Sequence, residues 1–230
     1  MWKSLRTWNK YQLKRWIMER EKFKCPGCGE EIMMDIHEFV DVCVEPSYKE
    51  KVMNGSFFLA KCPKCGDETL AEYPMMYMDP DRKLTIYMAP EHDNSLLAQL
   101  NSLELPESSI DAEAVFRVVK DGGELLEKIL IFDGGRDDRI IELYKALVYE
   151  NIKGEWPKVR REDLLYYLDG EEDYFIIWDY TNAMGEQLTV NLDEELYGQL
   201  ERDYLKSLSV PAGKYAEVNA AWLSERVDVE

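Results

Sequence analysis

Two identical spacings, Cys25-Pro26-Gly27-Cys28-Gly29 and Cys62-Pro63-Lys64-Cys65-Gly66, hold the residues of this chain best equipped to do chemistry. A thiolate binds zinc at about 2.3 Å, and a two-residue spacer folds the chain so that both sulfurs of a pair face one point. Proline sets φ at the first central position of each turn. The trailing glycine tolerates a left-handed conformation that turns backbone N–H groups towards the sulfurs. Such donors offset the charge of four thiolates around one divalent ion. The pattern predicts one tetrahedral site made by Cys25, Cys28, Cys62 and Cys65, with 33 residues between Cys28 and Cys62. Zinc is the expected metal, and iron in the same ligand set is the chemical alternative. Four protein ligands leave no open position, so such a site is structural rather than catalytic. A pair of redox dithiols is the competing use of Cys-x-x-Cys. That use needs a motif at a helix N-terminus after a strand, which two equal turns at hairpin tips do not supply.

A second segment, Asp133-Gly134-Gly135-Arg136-Asp137-Asp138-Arg139 with Glu142 close behind, gathers carboxylates before a helical pattern. Asp133, Asp137, Asp138 and Glu142 could hold Mg²⁺ and a phosphate, with the two glycines allowing close approach. The simpler reading makes Gly134-Gly135 a loop and Asp137 or Asp138 a helix cap that complements the dipole. No phosphate loop or partner base accompanies the cluster. His37 and His92 stand near no Ser or Asp in a nucleophile arrangement, so no catalytic triad is expected. Cys43, between Val42 and Val44, reads as a small buried residue of a strand.

The elements that position these residues divide into a β-rich part and a mixed part. Ile32 to Val44 and Phe57 to Ala60 read as strands. Leu70 to Met78 and Leu84 to Met88 flank the turn Asp79-Pro80-Asp81-Arg82 and pair as an antiparallel sheet. Pro46 and Gly55 bracket a short helix over Ser47 to Met53. Residues 93–111 turn polar and read as a hinge, with one helix through Leu96, Leu97, Leu100 and Leu103. Beyond it, Val115 to Val119 is a strand and Gly122-Gly123 a turn, while Glu124 to Phe132 fits helix or strand. Ile140, Ile141, Tyr144, Leu147 and Val148 share one face of a helix over Asp138 to Ile152. Tyr174 to Tyr180 and Gln187 to Asn191 make a hairpin, and Asp193 caps a helix carrying Leu196, Leu200, Tyr204 and Leu208 on one stripe. The fold class is α+β, a β-rich metal module followed by a mixed α/β C-terminal region.

Among 230 residues, 28 basic against 46 acidic side chains give a net charge of −18, which repels phosphate backbones and argues against nucleic acid as partner. The charge is uneven, since residues 1–24 carry +6 and leave −24 for the rest. Residues 2–17 place Trp2, Leu5, Trp8, Leu13, Trp16 and Ile17 at helical spacing opposite Lys3, Arg6, Lys10 and Lys14. Segment 1–22 is therefore a basic amphipathic helix or extension. It could touch an anionic membrane surface, pack on its own domain, or precede a native start at Met18. No apolar stretch is long enough to cross a bilayer and no cleavable signal pattern opens the chain. The paired rather than scattered cysteines fit a reducing compartment, so the expected location is cytoplasmic.

Phe23-Lys24-Cys25-Pro26-Gly27-Cys28-Gly29, Asn54-Gly55-Ser56-Phe57-Phe58, Cys62-Pro63-Lys64-Cys65-Gly66 and Tyr73-Pro74-Met75-Met76-Tyr77 resemble, in that order, the CpXC family of bacteria and archaea. The resemblance is close over residues 23–91. Glu124 to Ile129, Phe132-Asp133 and Asp137-Asp138-Arg139 are similar to the segment C-terminal to that domain in longer members. The resemblance implies a zinc-ribbon-like antiparallel domain over 23–92 with the four cysteines as metal ligands, and it implies no activity. A linker over 93–111 and an α+β domain over 112–230 complete the expected organisation. The expected role is binding another protein, through sheet edges or through Tyr48, Phe57, Phe58, Tyr73, Tyr77 and Tyr87. The alternative is a Mg²⁺-dependent enzyme acting on a phosphate-containing substrate at the Asp133 to Glu142 cluster.

Overall fold

The structure, a computed structural model, describes residues 19–102, 111–170, 172–179 and 186–227. The expected N-terminal amphipathic helix lies outside them. The chain forms two compact units, one ending at Leu126 and rejoined by Pro211–Ala216, the other made of Glu127–Val210 and the chain from Glu217. Helices and strands occur in both, so the fold is α+β.

The first unit opens with an antiparallel hairpin of β1 (Glu19–Lys24) and β2 (Glu31–Ile36), in which Phe23 faces Ile32. Strand period two is plain in β2, where Ile32, Met34 and Ile36 are buried and their neighbours exposed. The apolar run expected to continue to Val44 instead breaks after Ile36. β3 (Phe39–Asp41) leaves the hairpin to pair in parallel with a later strand. The Asp41 carboxylate then accepts the Cys43 N–H at 2.9 Å, which ends β3 in a turn and leaves Cys43 exposed. The expectation of a buried Cys43 is thus corrected by an Asp side chain that closes a turn on its own backbone.

Helix α1 (Ser47–Met53) comes next, as expected. Phe57 to Ala60 is not one strand: Ser56–Phe58 forms a 3₁₀ turn that buries both phenylalanines, and β4 (Leu59–Lys61) begins after it. β4 pairs antiparallel with β5 (Glu68–Leu70). β6 (Met75–Asp79) and β7 (Leu84–Met88) form the expected hairpin around Pro80–Arg82, with the Arg82 N–H on the Asp79 carboxylate. Helix α2 (Asn94–Ser102) leads towards β8 (Val115–Val119), which pairs in parallel with β7. A five-stranded mixed sheet results, ordered Tyr215–Ala216, β8, β7, β6, β3. β7 and β8 are thus neighbours in one sheet, and the division between units falls after Leu126. Met75, Tyr77, Ile86 and Met88 are fully buried at its centre.

Helix α3 (Gly122–Asp133) resolves the ambiguous segment, and Gly122-Gly123 open this helix rather than forming a turn before it. The Asp121 carboxylate accepts the Glu124 N–H at 2.8 Å and Glu72 accepts that of Gly122 at 2.7 Å, so two of the first helical donors are satisfied by side chains.

In the second unit α4 (Asp138–Ile152) is capped by Asp137 and buries Ile140, Ile141, Tyr144 and Val148 of the face expected for it, with Leu147 half-buried. An antiparallel meander of β9 (Leu164–Asp169), β10 (Glu172–Asp179) and β11 (Glu186–Asn191) contains the expected hairpin. Tyr144 stacks on Phe175 of β10 with ring centres 5.1 Å apart. Asp193 caps α5 (Glu194–Tyr204) through the Leu196 N–H at 2.8 Å. This helix buries Tyr197 and Leu200, whereas Tyr204 of the expected stripe is exposed at its end. A last helix, α6, spans Ala220–Ser224. No helix among the described residues is long and apolar enough to cross a membrane.

Candidate metal centre

Both cysteine pairs sit at hairpin tips, Cys25 and Cys28 between β1 and β2, Cys62 and Cys65 between β4 and β5. One turn is built twice. The Cys25 N–H donates to Glu30 O at 2.9 Å and the Gly29 N–H to Cys25 O at 2.8 Å. In the second knuckle the Cys62 N–H donates to Asp67 O at 2.8 Å and the Gly66 N–H to Cys62 O at 3.0 Å. Each turn closes on a left-handed residue, Gly29 at φ +73° and Gly66 at φ +80°, a conformation a β-carbon would strain.

The four sulfurs converge. Cys25 Sγ lies 3.5 Å from Cys65 Sγ and Cys28 Sγ 3.6 Å from Cys62 Sγ, and all four fall within 4.8 Å of one another. A tetrahedral shell of 2.3 Å bonds has edges of about 3.8 Å, close to both of these pairs. The thiols are free rather than bonded in disulfides. Cys25 and Cys62 are buried while Cys28 and Cys65 face outward, so one side of the cluster is accessible.

Backbone donors surround the sulfurs with the same symmetry. The N–H of Glu30 points at Cys28, and that of Asp67 points at Cys65. Cys62 receives N–H groups from Cys65 and Lys64, which outweigh burial and bring its pKa down to about 6. Neighbouring thiols push Cys28 and Cys65 up instead, and a metal needs all four as thiolates. The donor set, its spacing and its polarity are those of a metal-binding site.

The acidic segment does not assemble into one. Asp138 is fully buried against Lys128 Nζ at 3.0 Å, and Lys128 also donates to Val218 O at 2.7 Å. Glu142 lies 3.0 Å from Lys145 Nζ, which also holds Glu127 at 3.1 Å. Asp137 caps α4 and pairs with Arg139 at 2.6 Å. These carboxylates are therefore engaged by cations and a helix end. Among the described residues the four cysteines form the only group of three or more metal-ligating side chains. Sequence reasoning missed Glu127, Lys128 and Lys145 as buried charges. The signal was present in Glu127-Lys128 standing inside the otherwise apolar run Leu125 to Phe132.

His37 packs beside Tyr48 and Phe57, with ring centres 4.9 and 5.6 Å away, and burial pushes its pKa below the ordinary 6.5. Phe57, Phe58, Tyr73 and Tyr77 are buried, so they build core and not a contact surface. The exposed apolar groups near the knuckles are aliphatic. Leu59 and Leu70 stand opposite each other on β4 and β5, 43% and 59% exposed, beside the ion pair of Lys61 and Glu68 at 3.3 Å.

Comparison with known families matches residues 23–145 to the family described as CpXC protein. The match takes in both knuckles and ends at Lys145. No curated protein and no solved structure matches the chain.

Proposed function

The chain belongs to the CpXC family, and from that premise we propose that it is a zinc-binding scaffold whose two knuckled hairpins present a surface to another protein. Cys25, Cys28, Cys62 and Cys65 are the ligands, and the bound Zn²⁺ would supply cohesion between the hairpins. A closed four-sulfur shell offers substrate no coordination position. Small β modules of this kind draw folding free energy from the metal.

The observation that carries the interaction reading is the outward Leu59–Leu70 pair on the hairpin the metal would brace. Two opposed leucines, each about half exposed, form an apolar spot flanked by charge, the pattern of a contact core with a polar rim. The competing reading, a Mg²⁺-dependent enzyme at Asp133, Asp137, Asp138 and Glu142, loses support because Asp138 and Glu142 are buried against lysines.

The test compares the wild-type chain with Leu59→Ser/Leu70→Ser as bait in cross-linked host extract. The variant is expected to keep its metal and its melting temperature while losing the protein that the wild type captures. Equal capture by both would show that the leucines make no contact.

A further inference from the structure

We propose that a cleft in the second unit, walled by α4, the 3₁₀ turn Arg161–Asp163 and α6, binds a small ligand bearing a carboxylate or phosphate group on Arg161. The cleft, open to solvent, offers about 440 Å³ and is lined by Tyr149, Arg160, Arg161 and Ser224 together with Ala146 and Ala221. That volume lies within the range of small-molecule sites.

Arg161 is the unusual member. Its Nη2 donates to Ala220 O and approaches Ser224 Oγ at 3.4 Å, so both of these contacts are with neutral acceptors. No carboxylate among the described residues pairs with it, in a chain whose net charge is −18. Its Nε is buried and donates to nothing. That Nε lies beneath the surface, so a molecule in the cleft would meet the outer end of the guanidinium instead. Nη1, neither buried nor hydrogen-bonded among the described residues, is the donor open to an oxygen of a carboxylate or phosphate.

The other charges leave room for an anion. Glu150, on the cleft wall, is already held by Lys153. Arg160 is held by Asp163, which accepts from its Nε at 3.3 Å, its Nη2 at 2.8 Å and its backbone N–H at 2.8 Å, so the anion is left to Arg161. Glu162 is exposed at the rim. Its charge sets a penalty on large polyanions and favours a ligand carrying one anionic group.

The experiment monitors the arginine Nε–H resonances of the full chain during titration with inorganic phosphate and, separately, acetate at constant ionic strength. The Arg161 resonance is expected to shift saturably with at least one of them. Ala221→Glu, which adds a carboxylate at an exposed position of the cleft wall, should weaken that binding at least about tenfold, the effect of roughly 1.4 kcal/mol. Its unchanged spectrum elsewhere would report an intact fold. Absence of a saturable Arg161 shift with either anion overturns the proposal, and so does equal binding by Ala221→Glu.

Discussion

Asp67 lies over Gly27 so closely that a β-carbon built on the glycine would meet the carboxylate Oδ2 at 2.0 Å. The matching contact in the other knuckle joins Lys64 to Glu30 at 3.0 Å. Each knuckle thus receives, at its third position, the acidic residue that stands just past the other knuckle. One pair is an ion pair and the other a close approach in which a β-carbon would push the Asp67 carboxylate aside.

Gly27→Ala should therefore destabilise the chain by about 1 kcal/mol, a modest figure because the exposed Asp67 side chain can swing aside. Asp67→Ala in the same background should recover most of that loss. Equilibrium denaturation of the single and double variants measures both. Additive losses would show that the two residues do not meet.

Thiol reactivity separates the cysteines. Cys43 is exposed and outside the sulfur cluster. With metal bound it should be the one thiol that reacts rapidly with a chromogenic disulfide, and all five should react after chelation. Cys43→Ser should leave metal content unchanged, whereas Cys25→Ser or Cys62→Ser should release it. Rapid reaction of several thiols before chelation would contradict this assignment.

The buried triad in the second unit makes a pH-dependent prediction. Burial alone lowers the Lys145 pKa, yet Glu127 and Glu142 together raise it above the ordinary 10.5. A raised folded value means that the triad's contribution is complete at neutral pH and is lost only as pH climbs beyond 10.5. Lys145→Met leaves two buried carboxylates unpaired and should cost about 3–5 kcal/mol at neutral pH. Above 10.5 the wild type should lose the lysine's contribution, while the variant, lacking the lysine, has none of it to lose. Denaturation midpoints across a pH series give the comparison; parallel profiles for both proteins would contradict the triad.

Magnesium should not bind at Asp133 to Glu142. Calorimetric titration with Mg²⁺ is expected to give no saturable heat, and Asp138→Asn should lower stability by stranding Lys128, its partner at 3.0 Å. Saturable Mg²⁺ binding lost in Asp138→Asn would revive the enzymatic reading.

How far the fold and the site were legible depended on the range of each interaction. The knuckles were legible because proline, glycine and cysteine act within five residues, and the α4 stripe because helical period is local. Cys43 misled because a β-branched neighbour on each side outweighed one short Asp41 hydrogen bond. The parallel pairing of β3 with β6, and of β7 with β8, depends on partners far along the chain that no local pattern names. Lys145 and Glu127 are 18 residues apart and meet only when two helices pack, so each looked like an ordinary surface charge. The acidic segment read as a candidate site for the same reason, its lysine partners being invisible until the fold brought them in.

The central claim is tested most directly by measuring metal in protein purified without added zinc. The account predicts about one zinc per chain, bound by four thiolates, with no visible absorption of the kind that iron in the same sulfurs would produce. Less than about half an equivalent of zinc or iron, found together with five freely reactive thiols, would contradict it.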